Sequence, residues 1–259
     1  MQRREVILGA LVSVLLISSV VWASHGALEL YDSFAGMRFD PGKWKDLEEE
    51  RIVRGGAAHL SIRQVGVGGE GQELEIADPA SVETLQVRIQ IKTVEAANFS
   101  SNDQLAAGLL GSFYRIDTQP GGEDDKTGDV HAELLVARRG ADSTLRVGAA
   151  VIVCGEGEEC EHPSVCFVDE TSLGTVQTGA RVTLTLDWNP GAGRFTFTRQ
   201  GLAPITFTPS GTPCAPGPGL PAANVPEKGL QVRAIISSGP SADGFMRASF
   251  DQVKLFRAP

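Results

Sequence analysis

Three observations predict an all-β fold of two packed antiparallel sheets. Apolar residues recur at every second position along several stretches, and clusters of Gly and Pro separate those stretches. Beyond the N-terminus no comparable stretch carries a sustained helical period. A strand points successive side chains to opposite faces, so an alternating run is one that buries a single face. With 259 residues the chain is long enough for one large β-domain.

The N-terminus is read separately. Arg3 and Arg4 form a charged start, residues 6–23 are almost wholly apolar, and Val21-Trp22-Ala23 places small residues at a cleavage position. Residues 1–23 are therefore expected to be a helical signal peptide, leaving 24–259 as a single β-sandwich domain. An uncleaved anchor is the competing reading, since the run approaches the about 20 residues that span a bilayer. Cleavage implies a secreted or periplasmic protein with no membrane attachment. No cysteine stands at the cleavage point, which removes support for a lipid anchor.

In chain order the alternation is clear. In TLQVRIQIKTV, Leu85, Val87, Ile89 and Ile91 share one face and Gln86, Arg88, Gln90 and Lys92 the other. LLGSFYRID is apolar on both faces, as a central strand is, and so places Tyr114 in the packing. GDVHAELLVARRG sets Val130, Ala132, Leu134 and Val136 opposite Asp129, His131, Glu133 and Leu135. VTLTLDW buries Val182, Leu184, Leu186 and Trp188 together, and LQVRAII repeats the pattern near the end. In MRASFDQVKLF the apolar parity changes across Asp251-Gln252, which predicts a β-bulge there. Gly55-Gly56, Gly66 to Gly71, Asn189-Pro190-Gly191 and Gly239-Pro240 mark turns, and His59 is a strand residue after the first of them. Residues 208–228 carry a run of prolines and read as one long surface loop held by Cys214.

The cysteines are Cys154, Cys160, Cys166 and Cys214, all beyond the signal. In an exported chain an even number implies two disulfides, in one of three connectivities. A hairpin tip between Cys154 and Cys166 favours that pair. A zinc site using these cysteines with His162 is the competing reading, disfavoured by the oxidising compartment and by the lack of paired C-x-x-C spacing.

Acidic residues outnumber basic ones 32 to 23, for a net charge of −9, with no Lys/Arg run beyond a local pair. Nucleic acid is therefore not expected as a partner.

The segments YDSFAGMRFDPGKWKDLEEERIVRGGAAHLSI, VTLTLDWNPGAGRFTFTRQG and SFDQVKLF together resemble the concanavalin A-like lectin and glucanase jelly rolls, a group that includes laminin G-like domains. The resemblance implies an opening D-x-F strand lying beside a closing F-D-x-V strand, and a W-D hairpin crossing the sandwich. It implies nothing definite about function, because the group holds binders, hydrolases and scaffold domains alike.

Glucanases of this group carry their catalytic acids on one strand as E-x-D-x-x-E or E-x-D-x-E. Here Asp129-x-His131-x-Glu133 keeps the second spacing, with different residues at the first two positions. Retaining hydrolysis needs carboxyls about 5 Å apart. Asp129, His131 and Glu133 are thus the candidate catalytic set, against the expectation that they form the solvated side of a strand. The loop GGEDDKTGD offers Glu123, Asp124, Asp125 and Asp129 as oxygen ligands of the kind calcium takes, without EF-hand spacing. Aromatic platforms for sugar are few: Trp188 and Tyr114 belong to the core pattern, and Trp44 follows the first strand. No serine nucleophile elbow or phosphate-binding loop is present.

These features lead to the expectation of a secreted, non-catalytic module binding a glycan or a cell-surface ligand. A glycoside hydrolase-like enzyme is the first alternative, and a structural or protein-interaction domain the second.

Overall fold

The computed structural model describes residues 28–33, 43, 52–116, 125–155, 160, 163–217 and 222–258, so the expected signal peptide lies outside it. The described residues contain strands only: β1 (Glu29–Asp32), β2 (Ile52–Arg54), β3 (Ala57–Val65), β4 (Gly68–Glu75), β5 (Val82–Ala97), β6 (Gln104–Arg115), β7 (Asp129–Arg139), β8 (Leu145–Val153), β9 (Ser164–Asp169), β10 (Thr175–Val176), β11 (Arg181–Asn189), β12 (Arg194–Arg199), β13 (Ile205–Phe207), β14 (Lys228–Ile236) and β15 (Asp243–Arg257). None of the described residues forms a helix long and apolar enough to cross a membrane.

Two antiparallel sheets pack as the alternation predicts. An eight-stranded sheet runs β13-β12-β11-β5-β15-β3-β2, with β1 also on β15. A seven-stranded sheet runs β10-β8-β7-β6-β14-β4, with β9 also on β8. The inner faces meet in one core to which β5 gives Leu85, Val87, Ile89 and Ile91, β6 gives Leu105, Ala107 and Leu109, and β7 gives Val130, Ala132, Leu134 and Val136. Each of these is fully or almost fully buried. Burial of such faces is the main term favouring the fold.

Details read from the sequence recur in place. β6 is a central strand. Tyr114 stacks on Trp188 with ring centroids 4.6 Å apart, and its hydroxyl donates to the Cys214 carbonyl at 2.7 Å. The opening strand β1 pairs with the closing strand β15, Leu30 facing Lys254. VTLTLDWNPGAGRFTFTRQG is the β11–β12 hairpin. The register of β15 shifts between Asp251 and Lys254, with Gln252 at φ +51°, so the expected bulge lets Phe250 and Val253 both reach the core.

Both disulfides form, but not in the favoured pairing. Cys154 bonds Cys160 and Cys166 bonds Cys214. Cys154 directly follows β8, and a left-handed backbone at Cys160 (φ +54°) closes the turn at once, with 4.6 Å between the Cα atoms. Cys166 lies within β9, where the β8–β9 register shifts between Val151 and Ile152, and bonds the proline-rich loop instead. That loop is held by Cys214 as expected, and Ala222 bridges to Tyr114.

Glycines shape the outer face of the seven-stranded sheet. Gly108 on β6 and Gly229 on β14 alternate with the core residues Leu109 and Leu230, so both face outward. A Cβ on Gly108 would fall 2.2 Å from the Leu134 carbonyl oxygen, and one on Gly229 2.3 Å from that of Leu74. At both positions neighbouring backbone occupies the place where a side chain would begin. Only Gly permits that approach. This outer face, called the trough below, is the one on which β7 carries Asp129, His131 and Glu133, and a cavity opens on it beside Glu133.

Candidate active site

The three polar side chains of β7 have different fates. Asp129 is fully buried, and its carboxylate accepts the amides of Asn224 (2.7 Å) and Val225 (2.9 Å), anchoring the proline-rich loop. Burial raises its affinity for a proton above that of an ordinary carboxyl, and the two amides offset this only in part. It stands four residues, about 13 Å of strand, from Glu133. The spacing read as a catalytic pair thus gives one anchoring residue and one residue of the trough.

Glu133 is 7% exposed. Arg233 of β14 grips its carboxylate at both oxygens, through Nη1 to Oε1 and Nη2 at 2.8 Å to Oε2, while Gln231 Nε2 lies 3.5 Å from Oε1. In register, Arg233 faces Ala106 of β6 and Gln231 faces Gly108. These small residues leave β6 low, so the guanidinium passes over it to reach β7. Burial alone would raise the Glu133 carboxyl, but Arg233 outweighs it, with help from His131 and Gln231, and holds the group below its ordinary range. Glu133 is ionised at neutral pH.

His131 is half-buried between them, its Nδ1 3.3 Å from Ser112 Oγ and its Nε2 3.8 Å from Glu133 Oε1. Burial lowers its proton affinity more than Glu133 raises it, so the ring is neutral at pH 7. This face is not the solvated side of a strand.

Glu73 escaped the sequence reading. It lies on β4 opposite Gln231, and alternates with the buried Leu74, so it shares the trough. Burial pushes its carboxyl up to about 7, reinforced by the charges of Glu227, Glu75 and Glu133, against the pull of Lys126. The alternation in GQELE, with its two outward glutamates, was the available cue.

From Glu133 and Arg233 a cavity of about 430 Å³ extends over β7 and β8 to β9. Leu135, Ile152, Val165 and Val168 supply its apolar surface, and its remaining arginines are paired, Arg139 with Glu170 at 2.6 Å and Arg146 with Asp142 at 3.0 Å. Among the described residues no aromatic side chain lines it. Trp188 and Tyr114 are core residues, and Trp44 lies outside the described residues.

Of the calcium candidates, Glu123 and Asp124 lie outside the described residues, as does His162 of the zinc alternative. Asp125 accepts from the Thr127 amide at 2.9 Å and from its hydroxyl at 2.5 Å, and Asp129 is committed as above. Among the described residues no three His, Cys, Asp or Glu side chains cluster as a metal site would require.

No protein-family model matches the chain. No curated protein matches it either. Solved structures do. The chain is similar to the catalytic domain of an endo-1,3-beta-glucanase (laminarinase) from Thermotoga petrophila RKU-1, with a TM-score of 0.50 and 12% identity, over 88% of this chain and 97% of that one. It is also similar to a beta-1,3-glucanase from Mycobacterium marinum (TM-score 0.42, 14% identity, 86% and 97% covered). A third is a legume lectin-like domain from Entamoeba histolytica (TM-score 0.42, 8% identity, 85% and 97% covered). The fold is the concanavalin A-like jelly roll, as the sequence resemblance implied. The expectation of a non-catalytic binding module is corrected here. The Thermotoga match is a catalytic domain covered almost end to end, and the polar face of β7 holds a buried, charge-paired carboxylate in a trough.

Proposed function

We propose that the protein is a glycoside hydrolase-like enzyme that cleaves a polysaccharide in the trough of its seven-stranded sheet. One observation carries this reading: two glutamates on that face have their proton affinities driven apart, Glu133 kept ionised and Glu73 kept protonated up to about pH 7. A separated pair of this kind is the acid–base signature of glycoside hydrolysis. The shared jelly-roll fold supports it.

Glu73 is the proton donor in this reading. Its proton passes to the glycosidic oxygen as the C1–O bond breaks, and the leaving sugar departs as an alcohol. Positive charge at C1 is met by the ionised Glu133, which takes a proton from the water attacking C1. β6 and β14 lie between the two glutamates' strands, and register sets Glu73 level with Leu135, two residues along β7 from Glu133, so their Cα atoms stand about 16 Å apart, a span that both side chains shorten. That leaves room for the water, so inversion at C1 is expected. Arg233 and the neutral His131 position the Glu133 carboxylate. The cleft over β7, β8 and β9 holds the sugars flanking the scissile bond.

The signal-like N-terminus and both disulfides support export, and so a substrate outside the cytoplasm. The test is incubation with a panel of soluble polysaccharides, with products followed by NMR at the anomeric proton. First-formed products of inverted configuration are expected, and their loss in Glu133→Gln. Retained configuration would refute the assigned water attack, and no product from any member would refute the reading.

A further inference from the structure

The opposite face of the sandwich carries a second feature that the trough chemistry does not use. Register places Ile52, His59, Ser249, Gln90 and Arg181 in one row across β2, β3, β15, β5 and β11. The neighbouring row contains Arg54, Asp251 and Arg88, and beyond the other side of the floor stand Arg247 and Lys92. These residues line an open groove of about 470 Å³ on the outer face of the eight-stranded sheet. It continues past Arg88 and Arg181 into a second hollow of about 520 Å³ that ends at Lys254.

The charge of this groove opposes that of the chain. Among the described residues its lining holds Arg54, Arg88, Lys92, Arg181 and Arg247 against a single carboxylate, Asp251, in a protein of net charge −9. Asp251 is committed to Arg88 through two hydrogen bonds, at 2.5 and 2.8 Å. Arg54, Lys92, Arg181 and Arg247 are exposed and form no ion pair among the described residues. The floor between them, His59, Ser249 and Gln90, is polar.

We propose that this groove binds an anionic polysaccharide, a chain bearing uronate carboxylates or sulfate esters. Guanidinium forks match both anions in a bidentate fashion. The polar floor lies beneath the hydroxyls between the charges, with the Gln90 amide held by the Gly179 carbonyl and by Lys92. The groove is open along its length, as a polymer requires. Among the described residues no Phe, Tyr or Trp lines it, which sets it apart from the stacking platforms that bind single-stranded nucleic acid. The proposal is independent of hydrolysis in the trough.

Binding of the full chain to dextran sulfate, polygalacturonate, uncharged dextran and DNA, measured by titration calorimetry at two salt concentrations, tests it. Expected is binding of at least one acidic polysaccharide, weaker at high salt and absent for dextran. The double variant Arg181→Glu with Arg247→Glu alters exposed side chains only and should weaken it by at least about tenfold. Glu133→Gln should bind as the unaltered chain does, which keeps the result separate from the trough chemistry. Four results would overturn the proposal: no binding of either acidic polysaccharide, equal binding of dextran, tighter binding of DNA, or a double variant that binds unchanged. A concentration-dependent dimer that the double variant dissolves would assign the face to a second copy of the chain and overturn it too.

Discussion

Arg233 and Glu133 meet over β6, one guanidinium arm on each carboxylate oxygen, where Ala106 and Gly108 leave the space above the strand empty. The pair joins β14 to β7 without a side chain from the strand between them. A buried carboxylate that loses its cation is left with an uncompensated charge, which costs far more than the intact pair contributes. Arg233→Ala is expected to destabilise the protein by about 3 kcal/mol at pH 7. Arg233 holds the Glu133 carboxyl low, so its stabilisation is present above the ordinary carboxyl range and lost as pH falls through the folded value. Melting curves of variant and parent should therefore converge in acid. A gap that stays constant down to pH 3 would show that Arg233 acts through packing alone.

Glu73 has the opposite sign. Its folded value of about 7 lies above the ordinary 4.5, so the fold favours the protonated form. The stability it contributes is complete below pH 4.5 and is lost as pH rises through 7. Glu73→Gln keeps the neutral form at all pH values. Thermal melts should show the variant equal to the parent near pH 4 and a few degrees more stable near pH 8.

Lys228 carries a third titration, remote from the trough and between the sheets. Its ammonium is 1% exposed, donates to the Pro79 carbonyl at 2.9 Å and sits 4.9 Å above the centre of the Phe113 ring. Burial, with the repulsion of Arg257, brings it down to about 7 from 10.5. Here the fold favours the neutral amine, so stability is greatest above pH 10.5 and declines as pH falls toward 7. Lys228→Met should abolish that decline, read as a flat Tm between pH 7 and 10 after the Glu73 contribution is subtracted.

The two disulfides should differ in weight. Cys166–Cys214 closes a separation of 48 residues and Cys154–Cys160 only 6. Loop-closure entropy makes the longer one worth more by about 2 kcal/mol. Paired Cys→Ser variants in urea should show that ordering. Losing Cys214 should also disturb the carbonyl that Tyr114 bonds, visible in near-ultraviolet circular dichroism.

Alternation made the strands legible, because each buries one face, and the change of parity at Asp251-Gln252 made even the bulge legible. The proposed site was half legible. D-x-H-x-E picks out Glu133 as a candidate, but period two fixes which side of a strand a residue occupies and says nothing of what lies over that side. Asp129 was therefore weighed as an acid when the Asn224 and Val225 amides, 95 and 96 residues away, had claimed it. Glu73 was missed for the same reason, since its environment is made by Glu227, Glu75, Glu133 and Lys126, drawn together by sheet order. The disulfide choice failed because proximity in sequence favoured a hairpin tip, whereas the register shift in β9 set Cys166 against the proline-rich loop.

The most direct test is the pH profile of reducing-end release from polysaccharides by the full chain, beside Glu133→Gln and Glu73→Gln. A bell-shaped profile is expected, its alkaline limb near pH 7 and missing from Glu73→Gln, with at least a roughly 100-fold loss in each variant at the optimum. Absence of hydrolysis in the parent chain, or a Glu133→Gln variant as active as the parent, would contradict hydrolysis at this pair of glutamates.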